Sequence, residues 1–115
     1  MSGKSFKTVT QDLSKGLAQF RAAVPEVQAG FSALHQASMK AGALDAKTKE
    51  LIALAIGVAA RCDGCIGFHV QALIKLGCTK EELAEMLGVA VTMGGGPSLM
   101  YAGETMRAFE EFGGQ

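Results

Sequence analysis

The run Leu51 to Ala60, Leu-Ile-Ala-Leu-Ala-Ile-Gly-Val-Ala-Ala, holds 10 uncharged residues before Arg61 ends it. A helix that crosses a bilayer needs about 20, so this run reads as a helix inside a protein. Being apolar on every face, it must be surrounded by neighbours, and is expected to be the central helix. The rest of the chain can supply them. β-branched alternation is nearly absent, while Ala, Leu, Met, Glu and Lys recur at three- and four-residue spacing between glycines. The expected fold is therefore all-α, a compact helical domain of about six helices. At 115 residues the chain accommodates one domain, 1–115, around one core.

Local signals place the six. The first helix follows Thr8 or Thr10 as N-cap and carries Leu13, Leu17 and Phe20 as one buried stripe. The second opens at Pro25, passes Val27, Phe31 and Leu34, and stops near Gly42. Asp45 caps the third, about Ala46 to Ala60. The fourth starts in the cysteine segment and ends at Gly77, after which Thr79 and Glu82 form a capping box. The fifth runs from near Lys80 to about Met93. Gly94 to Pro97 breaks it, and Pro97 opens a sixth that ends before Gly113 and Gly114.

Composition narrows the function. Eleven basic and eleven acidic residues cancel, and no basic run is long enough to neutralise a series of phosphates, which argues against nucleic acid as a partner. The Gly3-Lys4-Ser5 tripeptide lacks the rest of a phosphate loop. The first sixteen residues contain no apolar export segment, so the expected location is cytoplasmic and no membrane is implied. With 49% hydrophobic residues and 19% charged, a body this small has apolar surface to spare, and self-association is its natural outlet.

The chemistry concentrates in Ala-Arg-Cys-Asp-Gly-Cys-Ile-Gly-Phe-His-Val, residues 60 to 70. Cys62 and Cys65 are three apart and His69 is four beyond Cys65, so on a helix all three share a face. The pair falls where one helix ends and the next begins. There, unpaired N–H groups and the helix dipole favour a thiolate, and a thiol pKa can drop from about 8.5 into the range of about 3.5 to 7.5. Asp63 opposes that effect or caps the helix, and Arg61 assists it. His69, one turn from Cys65, can accept a thiol proton and return it to a leaving group. A zinc site competes: two cysteines and His69 give three ligands, with Cys78 or His35 as a fourth. Against it stands the missing second ligand pair at short spacing. A static disulfide ranks third in a reducing compartment. Cys78 reads as a small buried hydrophobe, and His35, with no partner visible in the sequence, as structural.

Leu44 to Ala102, about half the chain, resembles the alkyl hydroperoxidase D-like branch of the carboxymuconolactone decarboxylase superfamily. The likeness rests on Lys49-Glu50-Leu51, the Cys62/Cys65/His69 set, the turn from Gly77 to Leu83 and the closing Gly-Gly-Pro. It implies an all-helical fold assembled as a homotrimer or homohexamer, and a peroxidase or thiol–disulfide activity. On its pattern Cys65 attacks a hydroperoxide or disulfide, Cys62 resolves, and His69 with Glu50, 12 residues before Cys62, relays protons. Some members carry another histidine between the cysteines, where this chain has Gly64. The decarboxylase branch lacks the cysteine pair, which argues against lactone chemistry. No flavin, haem or nucleotide fingerprint is present, so no cofactor is expected and electrons come from a dithiol reductant, a lipoyl-bearing protein being one candidate. The alternative class is a non-catalytic redox-sensing or structural oligomer. Apart from the family pattern Glu50 reads first as a solvated first-turn acid, whereas a hairpin at Arg61 would bring it level with about Ala72 and within a turn of His69.

Overall fold

The computed structural model describes residues 4–115, so the start of the Gly-Lys-Ser tripeptide lies outside it. The order is α1 (Phe6–Ala23), α2 (Pro25–Met39), α3 (Ala46–Ala59), α4 (Asp63–Lys75), α5 (Lys80–Gly94) and α6 (Gly96–Glu111), with no strand among the described residues. No helix is long and apolar enough to cross a membrane.

α1 starts earlier than Thr8 or Thr10. Ser5 is its cap, with its hydroxyl accepting from the Thr8 N–H at 3.2 Å. The reason is long-range: the Glu111 carboxylate of α6 accepts from Ser5 Oγ (2.5 Å) and from the N–H groups of Phe6 (2.7 Å) and Lys7 (3.3 Å), placing a negative charge on the α1 N-terminus. Thr10 is instead buried mid-helix, its hydroxyl bonding back to Phe6 O and Lys7 O.

Two Schellman motifs fold α4 against its neighbours. After α4, Gly77 at φ +78 lets Gly77 N–H reach Ile74 O and Cys78 N–H reach Leu73 O. After α3 the same motif forms without glycine: Arg61 takes φ +58, its N–H bonds Val58 O at 3.1 Å, and Cys62 N–H bonds Gly57 O at 2.9 Å. The chain reverses at once, and α4 packs back along α3. Asp45 caps α3, and the Thr79/Glu82 box caps α5, both as the residue types require.

Leu54 and Val58 of α3, Ile66, Val70 and Leu73 of α4, Leu83 and Leu87 of α5, and Phe109 of α6 form the core, with Phe6 closing one end. α1 enters through its first turns only: Thr10 lies where a side chain at Gly67 would be, and Leu13 where one at Gly64 would be. Beyond that point it has only α2 beside it, joined through Val24 alone. The expected buried stripe is therefore open: Leu17 is 41% and Phe20 49% exposed, and no residue of α2 is buried. Two helices paired side by side leave their outer apolar faces uncovered. The central-helix expectation for α3 also holds on one side only, since Leu54, Gly57 and Val58 are buried while Ile52 and Ile56 are exposed. α2 stops at Met39, short of Gly42, where Lys49 Nζ takes the Ser38 and Lys40 carbonyls (2.9 and 2.5 Å) and anchors the end of α2 to α3.

Candidate functional site

The reversal at Arg61 makes Cys62 the N-cap of α4, and its Sγ accepts from the Cys65 N–H at 3.1 Å. Cys62 and Cys65 are joined as a disulfide with Cα atoms 5.2 Å apart, and both are half-buried. Cys65 lies against α3 at Gly57, where a Cβ would come within 2.9 Å of the Cys65 Cβ, so the glycine makes the room. The sulfurs thus occupy the positively polarised end of a helix, and one of them already receives a backbone donor.

Asp63, in the first turn of α4, does not oppose this arrangement alone. Lys4 Nζ pairs with Asp63 Oδ2 at 2.7 Å, and that hydrogen bond holds the Lys4 ammonium above its usual range. The other oxygen, Oδ1, is buried without a partner among the described residues.

The α3–α4 hairpin brings Glu50 to His69. Glu50 Oε2 lies 2.6 Å from His69 Nδ1, with the two side chains only 12% and 21% exposed. A carboxylate at Nδ1 fixes which ring nitrogen carries the proton and leaves Nε2 as the working nitrogen. His69 stands one helical turn beyond Cys65 on α4, so carboxylate, imidazole and sulfur follow one another across two helices. Of the residues singled out from the sequence, Cys62, Cys65, His69 and Glu50 gather here. Cys78 is elsewhere, buried between α4 and α5 with its thiol donating to Thr79 O, and burial raises its pKa. Among the described residues no three His, Cys, Asp or Glu side chains converge to hold a metal ion.

Two neighbours of these residues were not visible in the sequence. Lys4 pairs across 59 positions, and His35, read as structural, places its ring centroid 6.5 Å from that of His69. Nothing in the spacing indicates that α2 lies over this end of α3. An open cleft of about 290 Å³ lies between α2 and α3, lined by Ser38, Met39, Lys49, Ile52, Ala53 and Ile56 and by none of the four site residues. Ala53 lies on α3 between Glu50 and Gly57.

Comparison with known proteins bears on the family and the fold of the chain. The sequence profile of the carboxymuconolactone decarboxylase family matches residues 25–113. The crystal structure of an apo protein of that family from Legionella pneumophila superposes with a TM-score of 0.91 at 62% identity, covering 93% of this chain and 96% of that one. An uncharacterized protein of Cupriavidus necator is 35% identical over 104 residues, 90% of this chain and 92% of its own length. An uncharacterized protein encoded in the cox locus of Paracoccus denitrificans is 32% identical over 101 residues, 88% and 91% of the two chains.

Proposed function

The chain belongs to the carboxymuconolactone decarboxylase family, and from that premise we propose that it is a thiol–disulfide oxidoreductase of the alkyl hydroperoxidase D-like branch, reducing hydroperoxides or disulfides. The observation that carries this reading is the joined Cys62–Cys65 pair at the head of α4 with the Glu50–His69 dyad one turn behind it.

In the reduced protein His69 takes the Cys65 proton, Glu50 stabilising the imidazolium that forms. The Cys65 thiolate attacks a hydroperoxide oxygen, the O–O bond breaks, and the departing alkoxide takes the proton from His69 and leaves as an alcohol. Cys65 is now a sulfenic acid. The Cys62 sulfur attacks it, hydroxide leaves with the Cys62 proton as water, and the disulfide closes. A dithiol then returns two electrons and two protons, in two exchange steps through a mixed disulfide. Cys62 is the better leaving sulfur in the first of these, since the Cys65 N–H already points at it.

The deciding experiment mixes reduced protein with hydrogen peroxide, an organic hydroperoxide and a disulfide in turn, following free thiols with wild type, Cys62→Ser and Cys65→Ser. Turnover with a recycling dithiol supports the enzyme; one slow stoichiometric oxidation and no turnover defeats it. Sulfenic acid trapped at Cys62 when residue 65 is Ser, and not at Cys65 in the converse variant, reverses the two roles.

One observation favours a second reading, a redox-sensing oligomer. Leu13, at the head of the exposed apolar stripe of α1, fills the space beside Gly64 between the two cysteines. Opening the disulfide would then be felt on a face suited to self-association, in a trimer or hexamer. A change of oligomer size on reduction, without turnover, selects that reading.

A further inference from the structure

The dyad described above has a proton problem. Oxidation by a hydroperoxide recycles its protons inside the site, because the one taken from Cys65 goes to the alkoxide and the one from Cys62 to hydroxide. Reduction does not: the dithiol attacks as thiolate, having lost its protons to solvent, and two cysteine sulfurs must each gain one. Glu50 and His69 are mostly buried, and Glu50 occupies one ring nitrogen of His69. With His69 only 21% exposed, a port beside it would speed the entry of a proton from bulk water.

We propose that His35 is that port, a relay residue that acts through His69 and does not itself touch the sulfurs; the inference rests on the thiol–disulfide reading above. His35 is exposed on α2, on the wall of an open cleft of about 260 Å³ that also includes Gln28 and Gln36. Its ring lies 6.5 Å from that of His69, centroid to centroid, with the planes tilted by 31°. Ring nitrogens sit about 1.2 Å from an imidazole centroid, so a direct N–H···N bond needs centroids within about 5.6 Å. The observed separation is too long for that. One water bonded to both rings at its tetrahedral angle spans about 4.6 Å between nitrogens, close to the separation of about 4.1 Å or more that facing nitrogens have here. Imidazole suits the task because it takes a proton on one nitrogen while releasing one from the other.

The ring is also held in place. Phe31, one turn earlier on α2, stacks on it at 6.3 Å and 30°. Lys49, the residue before Glu50, ties the end of α2 to α3 through the Ser38 and Lys40 carbonyls. The charged group in contact with the relay is the Glu50 carboxylate on His69, and the Lys49 ammonium is engaged with backbone carbonyls.

The test follows reduction of the Cys62–Cys65 disulfide by dithiothreitol in dilute buffer, for wild type, His35→Ala and His35→Phe, with thermal melting to show that each variant is folded. His35→Ala should be slower by about tenfold, less than the 10²–10⁴ lost with a direct general acid. His35→Phe, which keeps the stack on Phe31, should be equally slow. Free imidazole should restore the rate of His35→Ala and barely change wild type. Equal rates in His35→Ala and wild type, a wild-type rate in His35→Phe, or no rescue by imidazole overturns the relay. Turnover with hydroperoxides, measured on the same wild-type sample, judges the peroxidase reading separately, since reduction by dithiothreitol requires no natural substrate.

Discussion

Glu50 Oε2 meets His69 Nδ1 at 2.6 Å although 19 positions separate them, because Arg61 turns α3 back into α4. The contact makes Glu50 the group that sets the tautomer of His69 and orients its ring. Replacing Glu50 with Gln keeps an acceptor but removes the charge. Stability should change by less than about 1 kcal/mol, whereas the rate of thiol oxidation by hydroperoxide should fall about 10- to 100-fold. Glu50→Leu leaves a buried ring N–H without a partner and should cost about 1–3 kcal/mol in urea unfolding as well. Unaltered oxidation rates in both variants would remove the carboxylate from the mechanism.

Leu13 occupies the space beside Gly64, so an imidazole between the cysteines must turn the half-exposed Leu13 side chain aside. Gly64→His should destabilise the protein by about 1 kcal/mol, the low end of the cost of overpacking, because the Leu13 side chain can turn aside. In the double variant with Leu13→Ala the cost should be partly relieved, giving a coupling energy of at least about 0.5 kcal/mol in a double-mutant cycle. Additive losses would mean that α1 and α4 do not approach as closely as Gly64 and Gly67 permit.

How much of this was legible depends on whether the determinant is local. Asp45, the Thr79/Glu82 box and Gly77 act within a few residues, and the boundaries they mark are where the sequence puts them. The Cys62, Cys65 and His69 set was legible for the same reason, since one helical turn governs its spacing. Glu50 could be reached from sequence only through the family pattern and a supposed hairpin at Arg61. Ser5, rather than Thr8, begins α1 because Glu111 arrives from more than a hundred positions away. The nearness of His35 to His69 was not legible because the two belong to different helices. The stripe of Leu13, Leu17 and Phe20 has the right period for burial, yet periodicity says only that one face is apolar, not that this chain covers it.

Arg61 holds φ +58, a conformation that costs a side-chain-bearing residue about 1–2 kcal/mol. Glycine escapes that cost but loses about 0.5–1 kcal/mol more backbone entropy on folding. Arg61→Gly should therefore stabilise the protein by about 0.5–1 kcal/mol, and Arg61→Val, β-branched, should destabilise it. Urea midpoints at constant m-value provide the measurement. A loss of stability in Arg61→Gly would show that the exposed guanidinium makes a contribution larger than the backbone strain.

Glu111 links pH to the attachment of α1. The Ser5 hydroxyl above all, with the N–H groups of Phe6 and Lys7, holds its carboxyl below the ordinary carboxylate range in the folded protein. A depressed folded pKa contributes stability that is present above the unfolded pKa, near 4.3 for glutamate, and is lost as pH falls through the lower folded value. Glu82, paired with Lys47, and Asp45, capping Thr48, shift the same way, so acid weakens the ends of α1, α3 and α5 together. Glu111→Gln should be less stable than wild type at pH 7, and the gap should narrow as the pH drops below about 4. Hydrogen exchange localises the effect: in the variant at neutral pH, the first-turn amides of α1 should lose protection while those of Val70 and Leu73 in the core keep theirs. Equal loss at both places would mean that α1 is not a separately attached helix but unfolds with the core.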